Sequence, residues 1–278
     1  MKAQLVVRVA VCVAVLLVAR SARSEFGFPD FGSTSGLSLN GDAAQVGNVL
    51  RVTRGASRVE DAGSVWYVQK QRLIGGFDTT FVFNINGLGG LGPGADGLAF
   101  VVQDSPDGLL ASGGFGSGLG YWTMKRSLAV EFDTWTWGPP GEAAVDHISV
   151  QTRGAEGNSN EDKYAIPPAP LVLPFELNDG MDHSARVRYV PGSMEVYVDD
   201  LSTPRLVVPL DLTNIDGERI LDAQGEAWVG FTAATGAGYQ NHDLVAWQFH
   251  VVPEPASLTL LTLGILVLLL RRMHRRLG

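Results

Sequence analysis

The chain has 278 residues, a formal net charge of −8 at neutral pH and one cysteine. This length allows one large β domain or two small ones, and the single cysteine excludes a small scaffold held together by disulfides. Eight of the 21 basic residues lie within residues 1–24 and 253–278, so the body between them is strongly acidic. Such a body repels nucleic acid and anionic lipid, and it is compatible with cations and neutral sugars as ligands.

The N-terminal end has the features of a secretory signal. An apolar run over residues 9–19 follows two basic residues, and Ala22 and Ser24 provide the small side chains that a signal peptidase reads. The run is too short to span a membrane. The sequence therefore predicts a cleaved signal over residues 1–24. Because Cys12 lies inside it, the exported chain has no disulfide.

The C-terminal end has three parts in order: a Pro-Glu-Pro motif at residues 253–255, an apolar run over residues 258–270, and a terminus with four arginines. Together they resemble the PEP-CTERM sorting signal of Gram-negative bacteria, which implies cleavage by an exosortase-type membrane peptidase. The arginines favour a cytoplasmic terminus and an exported body. The alternative is a permanent transmembrane helix within residues 253–278 that anchors the protein in the membrane.

The body is predicted to be all-β. Between residues 25 and 252, short alternating or apolar runs are separated by Gly, Pro, Asn and Asp, a pattern typical of a sandwich or barrel. With no repeat and no linker, one domain is the simplest interpretation. The predicted strands are Val49 to Thr53, Phe77 to Ile85, Leu98 to Gln103, Ser127 to Asp133, His147 to Thr152, His183 to Tyr189, Met194 to Val198, Ala227 to Ala233 and Leu244 to Val251.

Glycine is concentrated between Gly87 and Gly120, which hold 12 of the 34 glycines. This composition is typical of a linker, but the predicted strand at residues 98–103 interrupts it. We therefore predict two glycine-rich loops that flank the strand and let backbone N–H groups approach a ligand closely.

A group of possible metal ligands lies between residues 128 and 150. Glu131 and Asp133 are two residues apart on a predicted strand, so their carboxylates point to the same side of the sheet. A turn-rich loop follows, and Asp146 and His147 open the next strand. Carboxylates suit a hard divalent ion, and the imidazole suits a transition metal. The alternative is a hairpin whose acidic residues only face water.

Four segments carry a family resemblance. Residues 94–100, 128–134, 229–236 and 242–249 are similar, in this order, to the signature segments and closing strand of legume-type (L-type) lectins. The resemblance spans nearly the whole body. It implies a concanavalin-like jelly roll of two antiparallel sheets and an exported carbohydrate-binding protein.

The resemblance also implies two metal ions beside the sugar site. Glu131 and His147 would bind a transition metal such as manganese, and Asp133 would bridge it to calcium. Trp135 would offer its backbone carbonyl to calcium, and Glu142 stands at the place of the second bridging carboxylate.

The sequence departs from the family pattern at two of these positions. Trp137 stands where the family has an asparagine that touches both calcium and sugar, and Glu142 is one methylene longer than the usual aspartate. Asp146 offers a replacement oxygen. Whether both metals bind is therefore open.

For the sugar, the resemblance nominates Asp96 as acceptor of two hydroxyl hydrogen bonds, assisted by backbone N–H groups near Gly118. Trp137 would stack on a pyranose face, and Tyr239 would add a variable contact from the last loop. In the alternative interpretation Asp96 only opens a strand through a turn, and the tryptophans at 135 and 137 only cover a sheet edge.

Glycoside hydrolases share this jelly roll, but their Glu-x-Asp-x-x-Glu pattern has Thr136 at its last position here, so the carboxylate pair is incomplete. We therefore predict a protein that is not an enzyme. Two hypotheses remain: a surface-associated lectin that binds extracellular polysaccharide, and a structural or matrix jelly roll that does not bind sugar.

Overall fold

The computed structural model describes residues 25–55, 60–135, 146–168, 170–215 and 217–253. Within these ranges the chain forms sixteen β-strands and three short 3₁₀ turns. The strands are β1 (Glu25–Phe28), β2 (Leu37–Gly41), β3 (Ala44–Val46), β4 (Val49–Thr53), β5 (Ala62–Tyr67), β6 (Gln71–Arg72), β7 (Phe77–Gly90), β8 (Gly97–Gln103), β9 (Ser127–Asp133), β10 (His147–Thr152), β11 (Leu171–Val172), β12 (Asp182–Val190), β13 (Ser193–Val198), β14 (Leu206–Val208), β15 (Glu226–Ala234) and β16 (Gly238–Val251). The 3₁₀ turns are Gly108–Leu110, Gly116–Gly118 and Asp162–Tyr164.

The strands form two eight-stranded antiparallel sheets. The back sheet has the order β14-β13-β12-β7-β16-β4-β3, with β1 on the far part of β16. The front sheet has the order β11-β10-β9-β8-β15-β5-β2, with β6 on β15. Neighbouring strands are often far apart in sequence, as expected of a jelly roll. The predicted all-β jelly roll of two antiparallel sheets is confirmed.

The core lies between the two sheets. Along β7, from Phe77 to Asn86, the side chains alternate between buried and half-buried, because successive residues of a strand point to opposite faces. Phe81 on this back-sheet strand has its ring centroid 4.8 Å from Phe231 and 5.6 Å from Phe132, both of the front sheet. These edge-on aromatic contacts join the two layers.

The outer face of the front sheet is covered as well. Strands β8, β9 and β10 are buried along their whole length, so they lack the alternation of a half-exposed strand. Residues 108–124, which we call the covering loop, fold over this face. A second hydrophobic cluster lies under the loop and consists of Trp66, Ala99, Val101, Ala111, Leu119, Tyr121, Met124 and Ala129.

All nine predicted strands are present, and two of them, β7 and β16, are longer than predicted by more than two residues. β7 continues to Gly90 and β16 begins at Gly238, because the glycine-rich end of β7 pairs with the start of β16. The prediction that the first glycine-rich loop begins at Gly87 was therefore wrong. Seven strands were not predicted, and most of them are short or lie at sheet edges, where few apolar side chains are needed.

Among the residues with described placement, no helix has the length and apolar character needed to cross a membrane. The predicted signal over residues 1–24 and nearly all of the predicted sorting segment, from residue 254 onward, lie outside the described ranges.

Candidate functional site

The candidate site lies at one end of the front sheet. Strand pairing places Gly97 opposite Asp133, and Asp133 opposite His147, in three adjacent strands. Asp96 directly precedes this row, and Asp146 directly precedes His147. The sequence-predicted Asp96, Asp133, Asp146 and His147 are therefore brought to the same sheet end, and all four are buried.

The backbone of Asp96 is held on both sides. Its N–H donates to the Ala234 carbonyl at 3.1 Å, and its carbonyl accepts from the Thr134 N–H at 2.9 Å and from the Thr134 hydroxyl at 3.1 Å. The side chain lies against Gly236, where an added Cβ would be 3.2 Å from Asp96 Oδ2 and 3.4 Å from the Gly116 Cα. Three loops thus meet around one buried carboxylate.

The aromatic residues Trp135 and Tyr239 lie against glycines of neighbouring segments. The half-buried Trp135 ring approaches Gly92 and Gly238, whose added Cβ atoms would lie 3.4 and 3.1 Å from its Cζ3. The Tyr239 ring extends across Gly89, where an added Cβ would be 2.5 Å from the ring. Glycine at these three positions leaves room for an aromatic ring to lie directly against the backbone. Trp137 lies outside the described residues.

The covering loop supplies the remaining wall. The Gly116 N–H donates to the Thr235 carbonyl at 3.0 Å, which holds the loop tip beside Asp96. The predicted contact Gly118 is buried in this tip. Two aromatic side chains of the loop are exposed, Phe115 at 55% and Trp122 at 49%. Sequence reasoning missed both.

The signal that could have found these two aromatics is their position in a run of glycines. Glycine has no side chain with which to cover a neighbouring ring, so a run of glycines leaves some of its aromatic rings exposed, although Tyr121 of the same run is buried. The Trp122 side chain lies against Gly114 and Gly118, where added Cβ atoms would be 2.6 and 2.9 Å from it. Exposed aromatic rings held on backbone are suited to flat apolar ligand surfaces.

A buried polar network supports the site from below. The Gln240 amide nitrogen lies 2.6 Å from the Thr134 hydroxyl, which in turn contacts the Asp96 carbonyl, and 3.0 Å from His242 Nε2. His242 Nδ1 lies 2.6 Å from the Thr53 hydroxyl. Since Gln240 donates to Nε2, these contacts assign the proton of a neutral imidazole to Nδ1.

Burial lowers the pKa of His242 to about 3, so the ring is neutral at ordinary pH. The side-chain oxygen of Gln240 accepts a hydrogen bond from the Asn178 amide nitrogen at 3.3 Å. Asn178 also donates to the Pro93 carbonyl at 3.1 Å. The network therefore connects β16, the segment before Asp96 and the end of β9.

Glu131 lies deeper under the covering loop, and it is 1% exposed. Tyr121 donates its hydroxyl to Oε1, Ser149 donates to Oε2, and the Gln151 amide nitrogen lies 3.2 Å from Oε2. Burial raises the pKa of Glu131, and these hydrogen bonds together with the nearby His147 oppose that shift.

The other predicted metal ligands also make internal hydrogen bonds. Asp133 Oδ1 accepts from the Trp135 N–H at 2.7 Å, and Asp146 Oδ2 accepts from the Leu177 N–H at 2.5 Å. Burial raises the pKa of Asp146. Glu142 lies outside the described residues. Within the described part of the chain, no group of three or more Asp, Glu, His or Cys residues is arranged to hold a metal ion.

Curated relatives of this chain are lectins and lectin-domain receptors. The chain is 30% identical over 239 residues to a mannose-specific lectin of Centrolobium microchaete, which covers 75% of this chain and 86% of that protein. It is 26% identical to an L-type lectin-domain containing receptor kinase of Arabidopsis thaliana, covering 86% of this chain and 36% of the kinase.

Solved structures share the fold. A Bauhinia forficata lectin in complex with GalNAc superposes with a TM-score of 0.63 at 23% identity, covering 82% of this chain and 98% of that one. The exoplasmic/lumenal domain of VIP36, in a form bound to Ca²⁺ and Man3GlcNAc, superposes with a TM-score of 0.62 at 17% identity, covering 82% and 89%.

Two family models match the sequence. The PEP-CTERM protein-sorting motif matches residues 251–276. The legume lectin domain matches residues 23–262, which include all described strands and the site around Asp96. The chain belongs to the legume lectin family and carries a C-terminal PEP-CTERM sorting motif.

Proposed function

We propose that this protein is an exported lectin that binds carbohydrate at the end of the front sheet. The observation that carries the proposal is the buried Asp96 carboxylate, which lies where the covering loop and the segment at Gly236 meet. A fixed carboxylate beside backbone N–H groups is suited to sugar hydroxyls, because a charged acceptor forms strong hydrogen bonds with neutral O–H donors. The expected ligand class is an extracellular polysaccharide or surface glycan.

The protein binds its ligand without catalysing a reaction. Its relatives by sequence include lectins, and Thr136 stands where the hydrolase pattern needs a second glutamate.

Calcium is the proposed cofactor. Asp133, Asp146 and the Trp135 backbone carbonyl, together with Glu142, would hold it, and these oxygen donors match the preference of a hard cation. When bound, calcium would connect the ends of β9 and β10 beside Asp96 and thus support the sugar-binding geometry.

The test is a glycan array probed with the purified exported protein. Probes containing mannose, glucose and GalNAc are the first choice, because relatives and structural neighbours are named for these sugars. We expect binding at millimolar calcium and weaker binding after EDTA treatment. No binding to any glycan or polysaccharide at millimolar calcium would instead support a structural or matrix protein that keeps the jelly roll.

Trp122 and Phe115 are proposed to stack on a sugar ring. Replacing Trp122 with serine is expected to weaken glycan binding about 5- to 10-fold, because one aromatic contact contributes about 1 kcal/mol. Phe115→Ser is expected to have a similar effect. Isothermal titration with the best array ligand measures both.

The matched control for these variants is Leu110→Ser. Leu110 belongs to the same covering loop and is 75% exposed, but it is an aliphatic side chain in a separate 3₁₀ turn. Its replacement should leave both affinity and unfolding temperature unchanged. Equal losses for Leu110 and Trp122 would contradict the stacking role.

The sorting motif predicts a processed C-terminus. We propose that an exosortase-type peptidase removes the basic end of the chain, and that the protein is membrane-anchored until then, in a Gram-negative bacterium. Mass spectrometry of surface protein is expected to find no peptide from residues 271–276. A variant with alanine at Pro253, Glu254 and Pro255 should retain them. Detection of residues 271–276 on the wild-type surface protein would contradict processing by the peptidase. The C-terminal segment would then be a permanent membrane anchor.

A further inference from the structure

Glu131 is surrounded by hydrogen-bond donors that belong to the chain itself. Tyr121 and Ser149 donate to different carboxylate oxygens, and the Gln151 amide nitrogen also lies within hydrogen-bond distance. All four side chains are at most 1% exposed. Both oxygens that would bind a metal ion are therefore already engaged, inside a closed part of the structure.

The fold explains why these donors meet at Glu131. Ser149 is the direct cross-strand partner of Glu131 in β10, and Gln151 is two residues further along the same face. Tyr121 comes from the covering loop, where its N–H donates to the Gly118 carbonyl at 3.0 Å. Its hydroxyl reaches down to the sheet and also lies 3.2 Å from the Ser159 carbonyl.

The chemistry of these donors does not suit a transition metal. Such ions are bound in proteins by imidazole, thiolate and carboxylate groups. A phenol, an alcohol and a carboxamide are poor ligands for them. Each is instead a good neutral donor to a carboxylate. The groups that contact the Glu131 oxygens therefore do not fit manganese, although His147, a suitable ligand, lies nearby.

We infer that the hydrogen bonds from Tyr121, Ser149 and Gln151 take the place of a transition metal at Glu131. Glu131 itself then joins the covering loop to the front sheet. A cation would bind only at the proposed calcium ligands, which lie nearer the end of the sheet. This inference rests on the proposed lectin site and refines it. It is tested by metal content and thermal unfolding, in experiments that use no glycan. Either proposal can therefore fail alone.

The first test is a manganese titration of the full chain, followed by dialysis and elemental analysis. We expect far less than one manganese per chain at Glu131, and the same unfolding temperature with and without manganese while calcium is held at a millimolar concentration. Stoichiometric manganese that is lost in Glu131→Gln would overturn the inference. This measurement needs only the wild type and one conservative variant.

The second test compares unfolding temperatures of hydroxyl deletions in EDTA. Tyr121→Phe and Ser149→Ala are each expected to lower the temperature by roughly 3–8 °C, because each removes a buried hydrogen bond to Glu131. Glu131→Ala should lower it further, by equal amounts with EDTA and with manganese. If Glu131 were a metal ligand, the loss would appear with manganese and disappear in EDTA.

The matched control is Tyr164→Phe, since Tyr164 is half-buried and packs its ring on Arg153. It should change the unfolding temperature little. If Glu131→Ala does not fold, the unfolding temperatures of Tyr121→Phe and Tyr164→Phe still test the inference. Equal, small decreases in both variants contradict the role of the Tyr121 hydroxyl. A decrease confined to Tyr121→Phe supports it.

Discussion

Replacing Asp96 with asparagine is expected to weaken glycan binding by roughly 10- to 150-fold, which corresponds to about 1.5–3 kcal/mol. The carboxylate can accept hydrogen bonds from two sugar hydroxyls, whereas the amide offers one acceptor and places an N–H group against a hydroxyl donor. The loss of the charge also removes the charge-assisted part of the remaining bond. Titration calorimetry with the best array ligand measures the effect.

The fold of this variant should survive, because the structural hydrogen bonds around Asp96 use its backbone. Its N–H donates to Ala234 and its carbonyl accepts from Thr134, and neither depends on the side chain. The matched control is Asp107→Asn, beyond the opposite end of β8 and exposed to solvent. An Asp96 variant that keeps full affinity would show that this aspartate only opens a strand through a turn.

Acid is expected to destabilise the protein through His242. The folded-state pKa of about 3 lies below the value of about 6.5 for an unfolded chain. The unfolded state therefore binds more protons between these values. The stabilising contribution is complete above about pH 6.5 and is lost progressively as the pH falls toward 3, by up to about 1.4 kcal/mol per pH unit. Urea unfolding followed by circular dichroism, between about pH 7 and about pH 4, measures this loss.

The physical reason is that the network around His242 accepts only the neutral ring. Gln240 donates to Nε2, so a proton on Nε2 would oppose an N–H donor in a fully buried site. The variant His242→Gln is expected to be less stable at neutral pH but to show a flatter pH dependence over the same range. Other carboxylates titrate equally in both proteins, so the difference between the two curves isolates His242.

His250→Gln is the matched control for this experiment. His250 lies near the end of the same strand, its side chain is 43% exposed, and its ring lies 3.4 Å from the Glu25 carboxylate. Its removal should leave the steep acid dependence intact. A His242→Gln curve parallel to that of the wild type would contradict the assignment of the pH dependence to the buried ring.

The strands and the family could be predicted from the sequence because they depend on short-range patterns. Alternation from Phe77 to Ile85 identifies a half-buried strand wherever it lies in the fold. Asp96, Asp133 and His147 could also be predicted as neighbours, since each stands at the end of a recognisable strand. The limits of β7 and β16 could not, because glycines form a strand only when a partner strand is present to pair with them.

Tertiary structure alone decided the environment of the site. Glu131 and Asp133 lie two residues apart in β9, and the covering loop brings the Tyr121 hydroxyl onto Glu131. Gln240 and Thr134 are 106 residues apart, and only the packing of the two sheets turns them into supports for Asp96. Local patterns determine which residues form strands, whereas hydrogen bonds between distant side chains depend on sheet register and loop closure. The sequence by itself therefore determined the lectin fold and the end of the sheet where the site lies. The tertiary structure decided which of its polar groups lie at the proposed binding site and which hold the protein together.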